Sequence, residues 1–160
     1  FRSLRILVLL FVALGGLWMI GSKRPTNLGV NDGKLAKCPD SPNCVSTQAE
    51  DETQRIDPLR FTAADEDVLP AVRAAISALP RTKLITETDD YIHAECRSLI
   101  FRFVDDIEIW VDFDNQQIHA RSASRVGHSD LGVNRHRVNT VFGKLQQAIS
   151  AEPNLADSAP

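Results

Sequence analysis

The sequence predicts an α+β domain: an antiparallel meander sheet of four to five strands with two flanking helices, preceded by an N-terminal hydrophobic helix. Three patterns carry this. Apolar residues recur at helical spacing over 65–79 and again over 134–149, and five short segments between 83 and 124 alternate apolar with polar residues. The resulting order of helix, meander, helix suits one sheet face covered by both helices.

Residues 1–22 read as an address. Ile6 to Ile20 carries no charged side chain, with Arg2 and Arg5 before it and Lys23 and Arg24 after it. Such a run is slightly shorter than the roughly 20 residues a spanning helix prefers. Leu4 and the stem of Arg5, snorkelling to the interface, extend it. We expect an uncleaved membrane anchor, with a cleaved secretory signal as the alternative, since Gly21 and Ser22 offer only poor small-residue cleavage positions. Cations on both sides leave orientation undecided by charge. Phe1 in place of Met leads us to expect a natural start further upstream. Residues 23–34, with Pro25, Gly29 and Gly33, read as a linker, 35–150 as the globular domain and 151–160 as a frayed tail.

In the first helix, Val68, Leu69, Val72, Ile76 and Leu79 form one stripe. Asp65, Glu66 and Asp67 suit its positive N-terminal end, Pro70 fits if it lies in the first turn, and Pro80 ends the element. Strands are expected at 83–87, 91–97, 99–104, 106–113 and 117–124, with turns at Asp89-Asp90 and Asp114-Asn115. A two-residue loop at Asp114-Asn115 sets Ile109 opposite Ala120 and Val111 opposite Ile118 on the buried face. Glu108 then meets Arg121, and Trp110 meets His119, on the other. Val138, Val141, Phe142, Leu145 and Ile149 form the stripe of the second helix.

Net charge is −3, from 18 Lys and Arg against 21 Asp and Glu, which argues against a nucleic-acid binder. Three cysteines are too few for a disulfide scaffold and fit no four-ligand zinc pattern. Cys38 and Cys44 bracket a loop stiffened by Pro39 and Pro42, and their spacing is neither thioredoxin-like nor zinc-like. We therefore expect a structural disulfide there, adding roughly 2 kcal/mol. It agrees with the apolar leader on an extracytoplasmic domain. Cys96 reads as a buried free thiol.

Charge is segregated along the chain, with 17 acidic and 7 basic residues over 40–114, but 5 basic and one acidic over 115–144. The densest stretch supplies the candidate ligand residues Arg121, Ser122, Ser124, Arg125, His128, Ser129, Asp130, Asn134 and Arg135. Backbone N–H groups at a helix start, hydroxyls and arginines together suit a phosphate, sulfate or lipid headgroup. The competing reading pairs Arg121 with Glu108 and Arg125 with Asp105 or Asp106, and uses Asp130 or Asn134 as a helix cap. No nucleotide-loop spacing and no G-x-S-x-G elbow is present. Asp105, Asp106 and Glu108 form an acidic cluster, read as structural because no ligand-spaced calcium loop accompanies it; neither metal nor cofactor is expected. Tyr91, His93 and Glu95 share a strand face, read as an exposed polar face rather than an acid–base pair.

Four stretches also resemble a bacterial and plastid family known as domain of unknown function 1499. They are Cys38–Ser46, Thr88–Tyr91, Phe103–Glu108 and Arg121–Arg135, and the likeness covers roughly 35–149. The resemblance implies a compact domain, often exported or membrane-attached, and implies no activity. The expectation is thus a non-catalytic module, held by an inner-membrane anchor and facing the periplasm. It would bind an anionic ligand, a lipid headgroup or an envelope-protein partner. A hydrolase using the acidic pair and the His128/Asp130 loop is the alternative.

Overall fold

Two strands set the centre of the sheet, and they pair in the register their side chains require. In the computed structural model β5 (Val104–Asp112) and β6 (Gln117–Ser124) run antiparallel, with Glu108 opposite Arg121, Ile109 opposite Ala120, Trp110 opposite His119 and Val111 opposite Ile118. The structure describes residues 23–150. The apolar helix expected over 1–22 and the tail over 151–160 lie outside the described residues.

Six strands form one antiparallel sheet. β3 (Thr82–Glu87) and β4 (Tyr91–Arg97) continue it beyond β5, and β6 carries two short strands on its outer edge, β1 (Cys44–Ser46) and β2 (Leu59–Arg60). The register of β4 with β5 runs from Tyr91↔Trp110 to Arg97↔Val104. That last pair obliges the chain to reverse within Ser98–Phe103, so the strand expected over 99–104 is instead a turn. Ser98 N–H bonds the Phe103 carbonyl, and Phe103 N–H bonds Ser98 Oγ. β1 and β2, at three residues and two, are too short to show a period in sequence.

Helix α1 (Asp65–Ser77) begins without a side-chain cap and relies on Asp65, Glu66 and Asp67 in its first turn. Pro70 is not in that turn but one turn further in, where its missing N–H leaves a carbonyl without its helical partner. Helix α2 (Val133–Ser150) runs one residue longer at each end than the stripe suggested. Both helices pack on one sheet face. Val68, Val72 and Ile76 of α1 and Val138, Val141 and Leu145 of α2 meet Ile92, Ile107, Ile109 and Ile118 in one continuous core.

The opposite face is also covered, which its polar composition concealed. Residues 24–33 lie along it: Arg24 meets Glu95, Gly29 N–H meets Glu108, and a Cβ added at Gly33 would sit 3.7 Å from the Trp110 ring. Since Glu95 lies near the end of β4 and Trp110 faces its start, this segment runs from the Arg97 end of the sheet toward the Asp90 end. Cys38 and Cys44 form the expected disulfide, whose sulfurs pack with Ala123, and Cys96 is the buried free thiol. Replacing Cys38 and Cys44 together by alanine should cost roughly 2 kcal/mol in urea unfolding, with the loss confined to the oxidised protein's advantage.

Candidate functional site

Carboxylates and cations alternate across the second face of the sheet. Side chains of Tyr91, His93 and Glu95 on β4 lie beside Asp106 and Glu108 on β5 and Arg121 on β6, and all are buried. Arg125, just past β6, places its Nε 2.8 Å from Asp106 Oδ2. Its Nη2 lies 2.6 Å from Asp106 Oδ1 and 2.7 Å from Glu95 Oε1. His93 Nε2 bonds Asp106 at 2.8 Å, and Arg24 reaches Glu95 at 2.8 Å. Beside this group, Glu108 accepts Tyr91 Oη at 2.8 Å, Gly29 N–H at 2.8 Å and Arg121 NH1 at 2.9 Å. Arg121 Nε is left without a partner.

Burial alone would raise the carboxyl pKa values. For Asp106 the hydrogen bonds from Arg125 and His93 outweigh it, and for Glu95 those from Arg125 and Arg24 do, so both sit below their ordinary values. The hydrogen bond to Asp106 pushes the Arg125 guanidinium up. Burial, followed by the charge of Glu108, pushes the Tyr91 hydroxyl far up. Burial also holds His119 below its ordinary value. The face read from sequence as exposed is thus a buried ion network, in which Tyr91 is engaged with Glu108, His93 with Asp106, and Glu95 with Arg125 and Arg24. A cavity of about 550 Å³ remains between Thr86, Asp90, Tyr91 and His93 and the covering segment at Arg24 and Gly29.

The residues singled out along 121–135 divide between the two faces. Arg121 and Arg125 join the network just described. Ser122 and Ser124 turn to the helix side, where Ser122 Oγ donates to Asn134 Oδ1 at 2.6 Å and Asn134 Nδ2 donates to Ser124 Oγ at 3.0 Å. Asp130 accepts the N–H groups of Gly132 and Asn134 at 3.0 and 2.7 Å and so starts α2. Arg135 donates to the carbonyls of Arg55 and Thr53, both at 2.8 Å. His128 and Ser129 are exposed on the loop, where Ser129 Oγ accepts Leu131 N–H. Asp105 lies on the helix side against Arg137 at 2.6 Å, so it does not pair with Asp106 across the strand. Among the described residues no group of His, Cys, Asp and Glu is placed to hold a metal ion.

A family described as protein of unknown function (DUF1499) matches residues 34–145, more than two thirds of the chain. The chain belongs to this family. Neither the curated proteins nor the solved structures yield a match. In this DUF1499 domain the four motifs that carried the resemblance meet in space. Asn43 of the first accepts Ser124 N–H and Asn134 Nδ2 on its carbonyl, and its own amide donates to the Gly127 carbonyl. Tyr91 of the second meets Glu108 of the third, and Asp106 of the third meets Arg125 of the fourth. The motifs therefore describe one polar framework.

Sequence reading missed a separate cluster at the end of the sheet where β4 stops. Leu99, Ile100 and Phe101 are 71, 78 and 60% exposed there, beside Val133 at 49%, and Leu131, two residues before Val133, is 94% exposed. Arg81, Arg97 and Arg102 flank them. The Arg-Ser-Leu-Ile-Phe-Arg stretch is the available signal, but together with Phe103 and Val104 it has the residue types of a strand.

Two measurements test the network. Arg125→Met leaves Asp106 and Glu95 short of their main partner and should cost about 3–5 kcal/mol in urea unfolding, whereas a loss below about 1 kcal/mol would mark the pairs as incidental. Because both carboxyls have lowered folded-state pKa values, their contribution is complete above the ordinary values of 3.8 and 4.5 and disappears as pH falls through the folded ones. Acid unfolding should accordingly begin at higher pH in Arg125→Met than in the native protein.

Proposed function

We propose that this is a non-catalytic, extracytoplasmic, membrane-tethered module that seats one end of its sheet on an anionic lipid surface. The observation that carries the reading is the exposed apolar tip at Leu99, Ile100 and Val133 with Arg81, Arg97 and Arg102 around it. Bulky apolar side chains ringed by arginine suit the boundary between headgroups and acyl chains.

Three further features support it. Arg81, Arg102 and Leu131 have φ of +55°, +57° and +55°, a conformation glycine adopts far more readily. Two arginines and an exposed leucine in that backbone region at one end of the sheet point to a use for those side chains. The charge is also polar along the strands. The opposite end of the sheet carries Asp89, Asp90, Asp112 and Asp114, so an anionic surface would attract the arginine end, by about 1 kcal/mol for each nearby arginine, and repel the other. Finally, the chain enters the domain at the arginine end, where Arg24 bonds Glu95. Only residues 21–23 separate Arg24 from the apolar stretch ending at Ile20, a reach of at most roughly 14 Å.

The disulfide supports an oxidising compartment. The engagement of Tyr91, His93, Glu95 and Asp106 in buried pairs supports a binding rather than a catalytic role. Since Arg121, Arg125 and Arg135 are committed to internal acceptors, the anion-facing cations in this reading are Arg81, Arg97 and Arg102.

Amide hydrogen exchange of the full chain in lipid nanodiscs tests the proposal. Exchange over 99–101 and at 131 should slow in phosphatidylglycerol relative to phosphatidylcholine. An Arg81→Glu/Arg102→Glu protein should lose that difference while the β5 amides keep their protection. Equal exchange in both lipids and in detergent micelles would defeat the reading.

A further inference from the structure

We infer that the cleft between the end of α1, the Arg97 end of the sheet and the first turns of α2 takes one acyl chain of an anionic membrane lipid. This rests on the seating of the sheet end on a membrane, and it names what the seated domain holds.

The cleft has a volume of about 380 Å³, within the range of small-molecule sites. Its buried wall includes Leu79 and Cys96, which are 9 and 4% exposed, and its mouth is framed by Leu99 and Val133. The same two residues belong to the exposed apolar cluster, so the surface that would meet lipid continues into the cleft. The lining is predominantly apolar, and its one buried charged pair is closed on itself. Arg137 donates to Asp105 at 2.6 Å and to Ser122 Oγ at 2.9 Å, and also bonds Asn134 Oδ1. An apolar chain entering there meets no unpaired charge.

The mouth supplies the complementary head-binding chemistry. Arg81 and Arg97 line it, with the Arg81 Nε–H on the Arg97 carbonyl at 3.0 Å. Arg97 is 43% exposed in its side chain and reaches Glu95 only at 3.4 Å. Both guanidinium groups therefore stand at the rim, where a phosphate or carboxylate head would lie once the chain is inside. Apolar depth with cations at the rim is the pattern of a site for a single-headed anionic amphiphile. A peptide would require free hydrogen-bonding partners along the cleft, whereas the Thr82 and Thr140 hydroxyls there donate to the Pro80 and His136 carbonyls.

The test is photo-cross-linking of the full chain in nanodiscs containing phosphatidylglycerol with a diazirine in one acyl chain, with sites located by peptide mass spectrometry. Cross-links at Leu79, Cys96 and Thr140, together with cross-links at 99–101, are the expected result. In Thr140→Trp, where the indole would occupy the cleft, the Leu79 and Cys96 products should be lost and those at 99–101 retained. Cross-links at 99–101 without any in the cleft would overturn the acyl site and leave the membrane seating standing. Cross-links confined to residues 1–22 would overturn both.

Discussion

Three carboxylates on neighbouring strands cannot be buried on one sheet face unless cations lie between them. Glu95, Asp106 and Glu108 meet that condition through Arg125 and Arg121, which bring charge from β6 and the residue after it. Because Arg125 must reach two strands at once, β6 has to end where it does. The loop that follows then starts from a fixed point and delivers Asp130 to the start of α2. Arg24 and the Gly29 N–H complete the same network from the N-terminal side. Electrostatics and one backbone donor therefore help to hold the covering segment.

This dependence explains what could be read in the chain beforehand. The β5–β6 register was legible because each face is chemically matched: Ile109 with Ala120 inside, and Glu108 with Arg121 on the reverse. Both helices were legible because Val68, Val72 and Ile76, and Val138, Val141 and Leu145, recur at 3.6-residue spacing. The burial of the second face was not. Tyr91, His93 and Glu95 look like solvent-facing residues within their own strand, and they become buriable only through a cation from two strands away. The covering segment was equally opaque, since Gly29 acts through its backbone N–H and carries no side-chain signature.

The candidate site shows the same division. Capping by Asp130 and pairing of Arg121 and Arg125 followed from residue type and spacing, and they account for most of the dense motif at 121–135. The exposed cluster at the sheet end did not follow. Leu99, Ile100 and Phe101 have the residue types of a strand, and only the closure of Arg97 on Val104 turns them outward. Leu131 becomes conspicuous only once its backbone conformation and 94% exposure are known.

The disulfide has a consequence for the unoxidised chain. β6 is eight residues long, and its outer edge is covered by the short strands β1 and β2, of three residues and two, with Thr47 bonding Ala120 between them. β1 leads directly out of the Cys38–Cys44 ring, and Gln54 ties down the Pro39 and Ser41 carbonyls of that ring at 2.7 and 3.0 Å. With the sulfurs reduced, the short strand loses its covalent pin, and the edge at Arg121, Ser122 and Ala123 is left shielded by backbone hydrogen bonds alone. One seven-residue ring thus pins the strand that shields a β edge, as well as adding stability.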